Sequence, residues 1–126
     1  MNFEDAPEEA AFRARARAWL DANVPHEHDE ELKLAGDGVF KLRKADTLTA
    51  ARAWQRRKSD AGWAAIHWPK EYGGANATPI ERVIWAEEEG MYAKLSSFFG
   101  LGLGMCGPTL MAWANEAQKR DLLPRL

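Results

Sequence analysis

Residues 61–74 read Ala-Gly-Trp-Ala-Ala-Ile-His-Trp-Pro-Lys-Glu-Tyr-Gly-Gly, and this stretch dictates how the chain on either side must fold. It holds two of the six tryptophans and three of the ten glycines. Gly62 stands where a helix should end, because the left-handed backbone that closes a helix costs glycine little. Trp68 precedes Pro69, which pushes it into extended backbone. Gly73-Gly74 forces another turn. Trp63, Trp68 and Tyr72 carry too much apolar surface to be solvated, since burying one large side chain gives about 1.5–3 kcal/mol. The stretch is expected to be a packed loop between two helices. His67 within it is expected to be a packed or partly exposed imidazole and not a general base, because no carboxylate can be placed beside it.

Upstream, residues 47–61 read as a helix capped by Asp46 or Thr47. Leu48, Ala51, Trp54 and Ala61 share a face, with the stem of Lys58 filling the gap. Arg56, Arg57 and Lys58 suit the negative end of its dipole. A first helix opens at Asp5-Ala6-Pro7-Glu8, with Asp5 as cap, Pro7 in the first turn and Glu8 at the reciprocal capping position. It should run to about Asn23 and bury Phe12, Ala16, Trp19 and Leu20. Glu9, Arg13 and Arg17 lie on a neighbouring face, expected to be solvated. Residues 26–46 pass from acidic to basic, and Gly36-Asp37-Gly38 marks a turn. The His26-x-His28 pair has no further ligand at a recognisable spacing, so the segment is expected to be flexible polar surface and not a metal site.

Downstream, Thr78-Pro79-Ile80-Glu81 combines a Thr cap, Pro in the first turn and Glu at the reciprocal position. Ile80, Val83, Ile84 and Met91 align on one face of the helix it opens. Glu87, Glu88 and Glu89 fall near its end, where the dipole disfavours each negative charge by about 0.3–1 kcal/mol. A basic partner, or a helix running past Gly90, should offset this. Consecutive acids point around a helix and do not converge on a metal or reaction centre, so one buried pairing on a solvated face is expected.

Residues 95–114 are the most apolar. Gly102-Leu103-Gly104-Met105-Cys106-Gly107 matches G-x-G-x-x-G, but a dinucleotide fingerprint needs a strand before it and an acid closing a second strand about 20 residues on. Asp121 has nearly that offset yet lies in a polar helical segment, and the chain offers no convincing strand. The glycines are better read as letting a helix approach a neighbour or leaving space beside it. Pro108 is expected to start a new helical piece carrying Leu110, Met111 and Trp113. Asn115-x-x-Gln118 caps a last helix that Pro124 ends.

The 126 residues amount to one domain, with an ordinary hydrophobic fraction of 46%. A net charge of −2, with dispersed basic residues, argues against nucleic acid or a membrane surface as partner. The lone Cys106 excludes an internal disulfide and fits a reducing compartment, so a cytoplasmic location is expected. The acidic start has no apolar signal-peptide core. The longest apolar run, residues 98–107, is broken by glycines and far short of the about 20 residues a membrane span needs. The fold class that follows is all-α: an orthogonal or up-down bundle of about five helices with a long aromatic Gly/Pro loop.

Gly62-Trp63 followed by Trp68-Pro69-Lys70-Glu71-Tyr72-Gly73-Gly74 resembles the signature of the acyl-CoA dehydrogenase amino-terminal domain. Pro79-Ile80-Glu81 opening a helix that ends in Glu87-Glu88 agrees with that family. So does Asn115-Glu116-Ala117-Gln118-Lys119-Arg120 leading to Leu123-Pro124-Arg125-Leu126. The resemblance covers residues 54–126, and the first helix by pattern. Members of the family add a middle β domain and a carboxy-terminal helical domain, bind FAD through these and a neighbouring subunit, and pass electrons to an electron-transferring flavoprotein. The resemblance implies that the chain is the amino-terminal domain alone, without the catalytic carboxylate or the flavin motif, and that FAD will not bind it in isolation. Implied partners are the acyl-CoA substrate, the remaining domains and further copies in a homo-oligomer. The segment matching the wall of the family's acyl pocket runs from residue 98 to 105, with Phe98, Phe99, Leu101, Leu103 and Met105 as candidates. Two other classes compete: a stand-alone helical interaction module and, on the glycine motif, a Rossmann domain. A related flavoprotein oxidase or monooxygenase is a variant of the first. The ending directly after a helix is expected of a chain that continues into further domains.

Overall fold

The computed structural model describes residues 4–36 and 41–126, so the Asp37-Gly38 half of the expected turn lies outside the described residues. Every regular element among them is helical, and seven are α-helices. These are α1 (Pro7–Asn23), α2 (Asp29–Leu34), α3 (Thr47–Asp60), α4 (Pro79–Glu89), α5 (Ala93–Ser96), α6 (Gly107–Trp113) and α7 (Glu116–Leu122). Helix α1 packs chiefly on α4, and α3 on α5. The all-α reading holds. The count exceeds five because 3₁₀ turns interrupt the path from Pro79 to Phe99, and because α2 forms within the stretch read as irregular.

Helix α1 ends where expected, but its cap lies one residue later. Ala6 is the cap, and Glu9, not Glu8, accepts the Ala6 N–H at 2.8 Å. Pro7 takes the first helical position, which displaces Asp5 from the capping role. Asp5 instead accepts two hydrogen bonds from Arg13, at 2.6 and 3.0 Å. Phe12, Ala16 and Leu20 are buried, and Trp19 packs beside them.

Helix α2 corrects the flexible-surface expectation. Leu32 is fully buried, and Leu42 beyond the undescribed residues is nearly so. The α2 carboxyl end has its free carbonyls satisfied from outside: the Lys94 ammonium donates to Leu32 O at 3.0 Å and to Ala35 O. At the other end Tyr92 Oη donates to Asp29 Oδ1 at 2.5 Å. Burial and the Asp29 charge push the Tyr92 phenol well above its ordinary range, and the Tyr92 hydroxyl holds Asp29 below its own. His26 Nδ1 lies 3.1 Å from Asp29 Oδ2, so the His26-x-His28 pair is tied to a carboxylate at one member.

Two face assignments need correction. In α3 the buried residues are Ala51, Trp54 and Lys58, while Leu48 and Ala61 are exposed, so the apolar stripe is narrower than the periodicity suggested. In α4 the buried residues are Ile84, Trp85 and Glu89, whereas Ile80 and Val83 face outward. Trp85 wins the inner position because it finds an aromatic partner. It stacks on Trp63 at 4.5 Å between ring centroids with planes 12° apart. Trp19 lies between these two and Trp54, giving a cluster of four indoles at the centre of the core.

The loop of residues 61–78 is packed as expected. Gly62 adopts φ of 81°, the left-handed backbone predicted for it, and Gly73, where a turn was predicted, adopts φ of 89°. The Trp68 carbonyl accepts from Asn76 N at 3.0 Å, and Ile66 O accepts from Ala75 and Ala77. A Cβ on Gly74 would lie 1.9 Å from the Trp68 carbonyl oxygen, so only glycine allows this return of the chain. Trp68 is thereby fixed from its backbone outward.

Candidate functional site

The path Pro79–Phe99 and the path Gly102–Trp113 meet at a 75° bend. At the bend, Gly102–Cys106 form a single π turn, closed by Gly107 N–H donating to Gly102 O. Pro108 explains it. Proline has no N–H for the bond to Gly104 O, and its ring crowds that carbonyl, so the turn before it widens. Pro108 stands in the first turn of α6, the helical piece expected to carry Leu110, Met111 and Trp113, and that piece follows the π turn without a break. Thr109 Oγ1 donates back to Met105 O at 2.8 Å.

The bend divides the five wall candidates. Leu101 and Met105 lie outward at 71% and 62% exposure, and Phe98 is exposed as well. Gly100 and Gly104 have open space where a Cβ would stand, so this face carries apolar side chains with gaps between them. Phe99 turns inward onto the main core, and Leu103 onto a second cluster with Trp68, Ala65 and Leu123. Phe99, Leu103 and Trp68 border a separate open cleft of about 1090 Å³ behind the bend, rimmed by Arg52 and Arg56.

Trp68 holds the inner side of the bend. Its indole Nε1–H donates to Leu103 O at 3.2 Å, and its six-membered ring lies where a Gly107 Cβ would stand, with Cζ2 only 2.1 Å from that position. Gly107 thus permits the close helix approach that the glycine spacing suggested. The glycine motif is no dinucleotide cradle. Among the described residues no strand precedes it, and its amides close a helix turn instead of facing a phosphate. The residues present do not fit FAD as a Rossmann site.

The three carboxylates at the end of α4 are accounted for by basic partners. Arg13 donates to Glu87 at 2.9 Å and to Glu88 at 2.8 Å, and Arg17 donates to Glu88 at 2.7 Å. The α1 basic face is therefore an interhelix contact at Arg13, while Arg17 remains largely exposed to solvent. Glu89 is the one buried acid, as expected, and its partner is Lys58 at 2.8 Å. The lysine stem does not snorkel; its ammonium is buried with the carboxylate, and Ser96 Oγ and Trp54 Nε1 complete the cluster. Nothing in the periodicity marked Ser96 or Trp85. A lysine on an apolar face together with an acid on another was the available signal. His67 lies edge-on to Trp68, and burial followed by the Arg82 charge holds its imidazole below the usual range. Among the described residues no three His, Cys, Asp or Glu side chains converge as metal ligands. No single helix among them is long and apolar enough to cross a membrane.

The hydrogen bond from Arg17, reinforced by Arg13 and opposed by burial, holds Glu88 below the ordinary carboxylate range, and the Arg13 hydrogen bond does the same for Asp5. A depressed carboxylate contributes stability above its unfolded pKa and loses it as pH falls through the folded one. The urea midpoint should therefore be flat near neutrality and fall below about pH 4. Arg13→Gln should shrink that acid-dependent fall, as read from midpoints across a pH series.

Residues 6–126 match the family described as acyl-CoA dehydrogenase, N-terminal domain. The match extends well upstream of the 54–126 span that carried the resemblance. The chain is 37% identical over 126 residues to acyl-CoA dehydrogenase FadE26 of Mycobacterium tuberculosis, covering 100% of this chain and 30% of that protein. It is 33% identical over 115 residues to acyl-CoA dehydrogenase IpdE1 of the same organism, covering 91% and 29%. Its fold is that of a chain in the ChsE4-ChsE5 complex from Mycobacterium tuberculosis, with a TM-score of 0.67 at 23% identity over 99% of this chain and 28% of that one. The chain spans about three tenths of the length of these curated relatives. With its helical order, its loop and its bend placed as described, the chain belongs to the acyl-CoA dehydrogenase N-terminal domain family.

Proposed function

We propose that this chain is the amino-terminal helical domain of an FAD-dependent acyl-CoA dehydrogenase, which introduces a double bond between the two carbons next to an acyl-CoA thioester carbonyl. The observation that carries the reading is the outward apolar face of the bend. Leu101 and Met105 stand exposed beside Gly100 and Gly104, an apolar surface with open space at the two glycines. Each CH₂ buried there would contribute about 0.8 kcal/mol. Phe98 extends this face, and Phe99 and Leu103 support it from within. Proton abstraction and flavin binding fall to the rest of the enzyme, since the described residues include neither a converging carboxylate cluster nor a strand-borne flavin cradle. A homo-oligomer of the intact enzyme, an electron-transferring flavoprotein as acceptor and a cytoplasmic location complete the reading. The related oxidases and monooxygenases are the second choice, because the relatives bear dehydrogenase names.

The intact enzyme carrying this chain should convert a saturated acyl-CoA to its 2-enoyl product with an electron-transferring flavoprotein or a dye as acceptor. The 126-residue chain alone should show no flavin absorbance and should bind a hydrophobic dye. Absence of enoyl product with every acyl-CoA tried, or flavin held tightly by the isolated chain, would contradict the reading.

A further inference from the structure

We infer that Trp68 is a positioning residue for the acyl-facing wall: the signature loop holds the π turn from behind and so sets where Leu101 and Met105 stand. The inference rests on the wall reading above and adds a role for a side chain that never meets the acyl tail. Three observations carry it. A π turn breaks the regular helical hydrogen-bond ladder, and such turns persist where surrounding structure fixes them. Here Trp68 Nε1–H reaches Leu103 O inside that turn at 3.2 Å. The indole ring occupies the space a Gly107 side chain would take, fixing how near the helix comes. The ring itself cannot drift, because Trp68 is only 3% exposed and its carbonyl is locked by Asn76 and by the close return at Gly74.

The sequence and fold explain why the two sides of the turn are unlike. Gly104 has nothing near it and leaves room outside; Gly107 is in contact with an indole inside. Leu103 lies on the inner side with Trp68, between outward Leu101 and Met105, so a shift of the Leu103 carbonyl moves both neighbours. The loop Trp68-Pro69-Lys70-Glu71-Tyr72-Gly73-Gly74 is thus a brace, and the bend is what it braces.

The test uses the intact enzyme with Trp68→Phe, which keeps an aromatic ring and removes the donor, and Gly107→Ala, which pushes from the other side. Steady-state rates are measured on straight acyl-CoAs of increasing length. Both variants should keep kcat on the shortest substrate and raise KM by about three- to tenfold on acyl chains long enough to reach the wall, the range expected for one lost hydrogen bond. Phe12→Leu, in the main core, should lower the melting temperature without changing the length dependence. Hydrogen exchange on the same proteins should show faster exchange at residues 103–107 in Trp68→Phe, with α1 unchanged. An active enzyme whose length profile and local exchange are the same in Trp68→Phe and wild type would overturn the inference. So would a uniform loss across lengths matched by Phe12→Leu. A wild-type enzyme inactive on every acyl-CoA would instead overturn the wall reading on which it stands.

Discussion

Lys58→Met should destabilise the chain by about 3–5 kcal/mol, because it leaves the Glu89 carboxylate buried without its counter-ion. Lys58 and Glu89 side chains are 3% and 7% exposed, so water cannot replace the lost partner. Against a total stability of about 5–15 kcal/mol the loss is large, and the melting temperature should fall by about 10–20 °C. The pair is not simply favourable, since each ion was taken out of water to form it. The double variant Lys58→Met with Glu89→Gln should therefore recover a good part of the loss. In that double variant the amide oxygen replacing the carboxylate still accepts from Trp54 Nε1 and Ser96 Oγ, the two neutral donors of the cluster. Denaturant midpoints for the two singles and the double measure this. A Lys58→Met loss below about 1 kcal/mol, the value of an exposed pair, would mean that the cluster is solvated.

Trp68→Ala should cost about 3–5 kcal/mol, the usual range for emptying a buried indole site. Its more telling consequence concerns Gly107. In the wild-type chain Gly107→Ala places a methyl 2.1 Å from Trp68 Cζ2 and should destabilise by about 1–3 kcal/mol. With the indole gone the same substitution meets open space, and alanine is favoured over glycine in a helix by about 1 kcal/mol. The sign of the Gly107→Ala effect should therefore reverse in the Trp68→Ala background. A double-mutant cycle built from denaturant melts reads that coupling directly. Additive effects would show that the ring and the helix do not touch.

Much of this fold was legible in the chain because several of its elements announce themselves locally. Thr78 with Glu81 and Asn115 with Gln118 form the capping boxes their spacing implies. Gly62 and Gly73 take the left-handed turns that punctuate the aromatic loop. Where the reading slipped, two local rules competed and tertiary contact decided. Asp5 is a better cap than Ala6 in isolation, but Arg13 offers it two hydrogen bonds. Ile80 and Val83 are apolar at helical spacing, yet Trp85 takes the buried side because Trp63 lies there to stack on. Helix α2 was missed because its six residues bury a single leucine, too little for any periodicity. The site was less legible than the fold. That residues 98–105 carry an apolar face with glycine gaps could be read; which of them turn inward could not, because the π turn shifts the register at Gly102 and nothing before Pro108 signals it.

The most direct measurement is the acyl-length profile of the intact enzyme with Met105→Trp. The indole is placed on the outward face, where the native side chain is 62% exposed and no core contact is lost. If this face lines the acyl tail, kcat/KM should fall by about tenfold or more on long acyl-CoAs, equivalent to about 1.4 kcal/mol, while the shortest substrate is turned over at the wild-type rate. A profile unchanged at every length would place the acyl tail elsewhere.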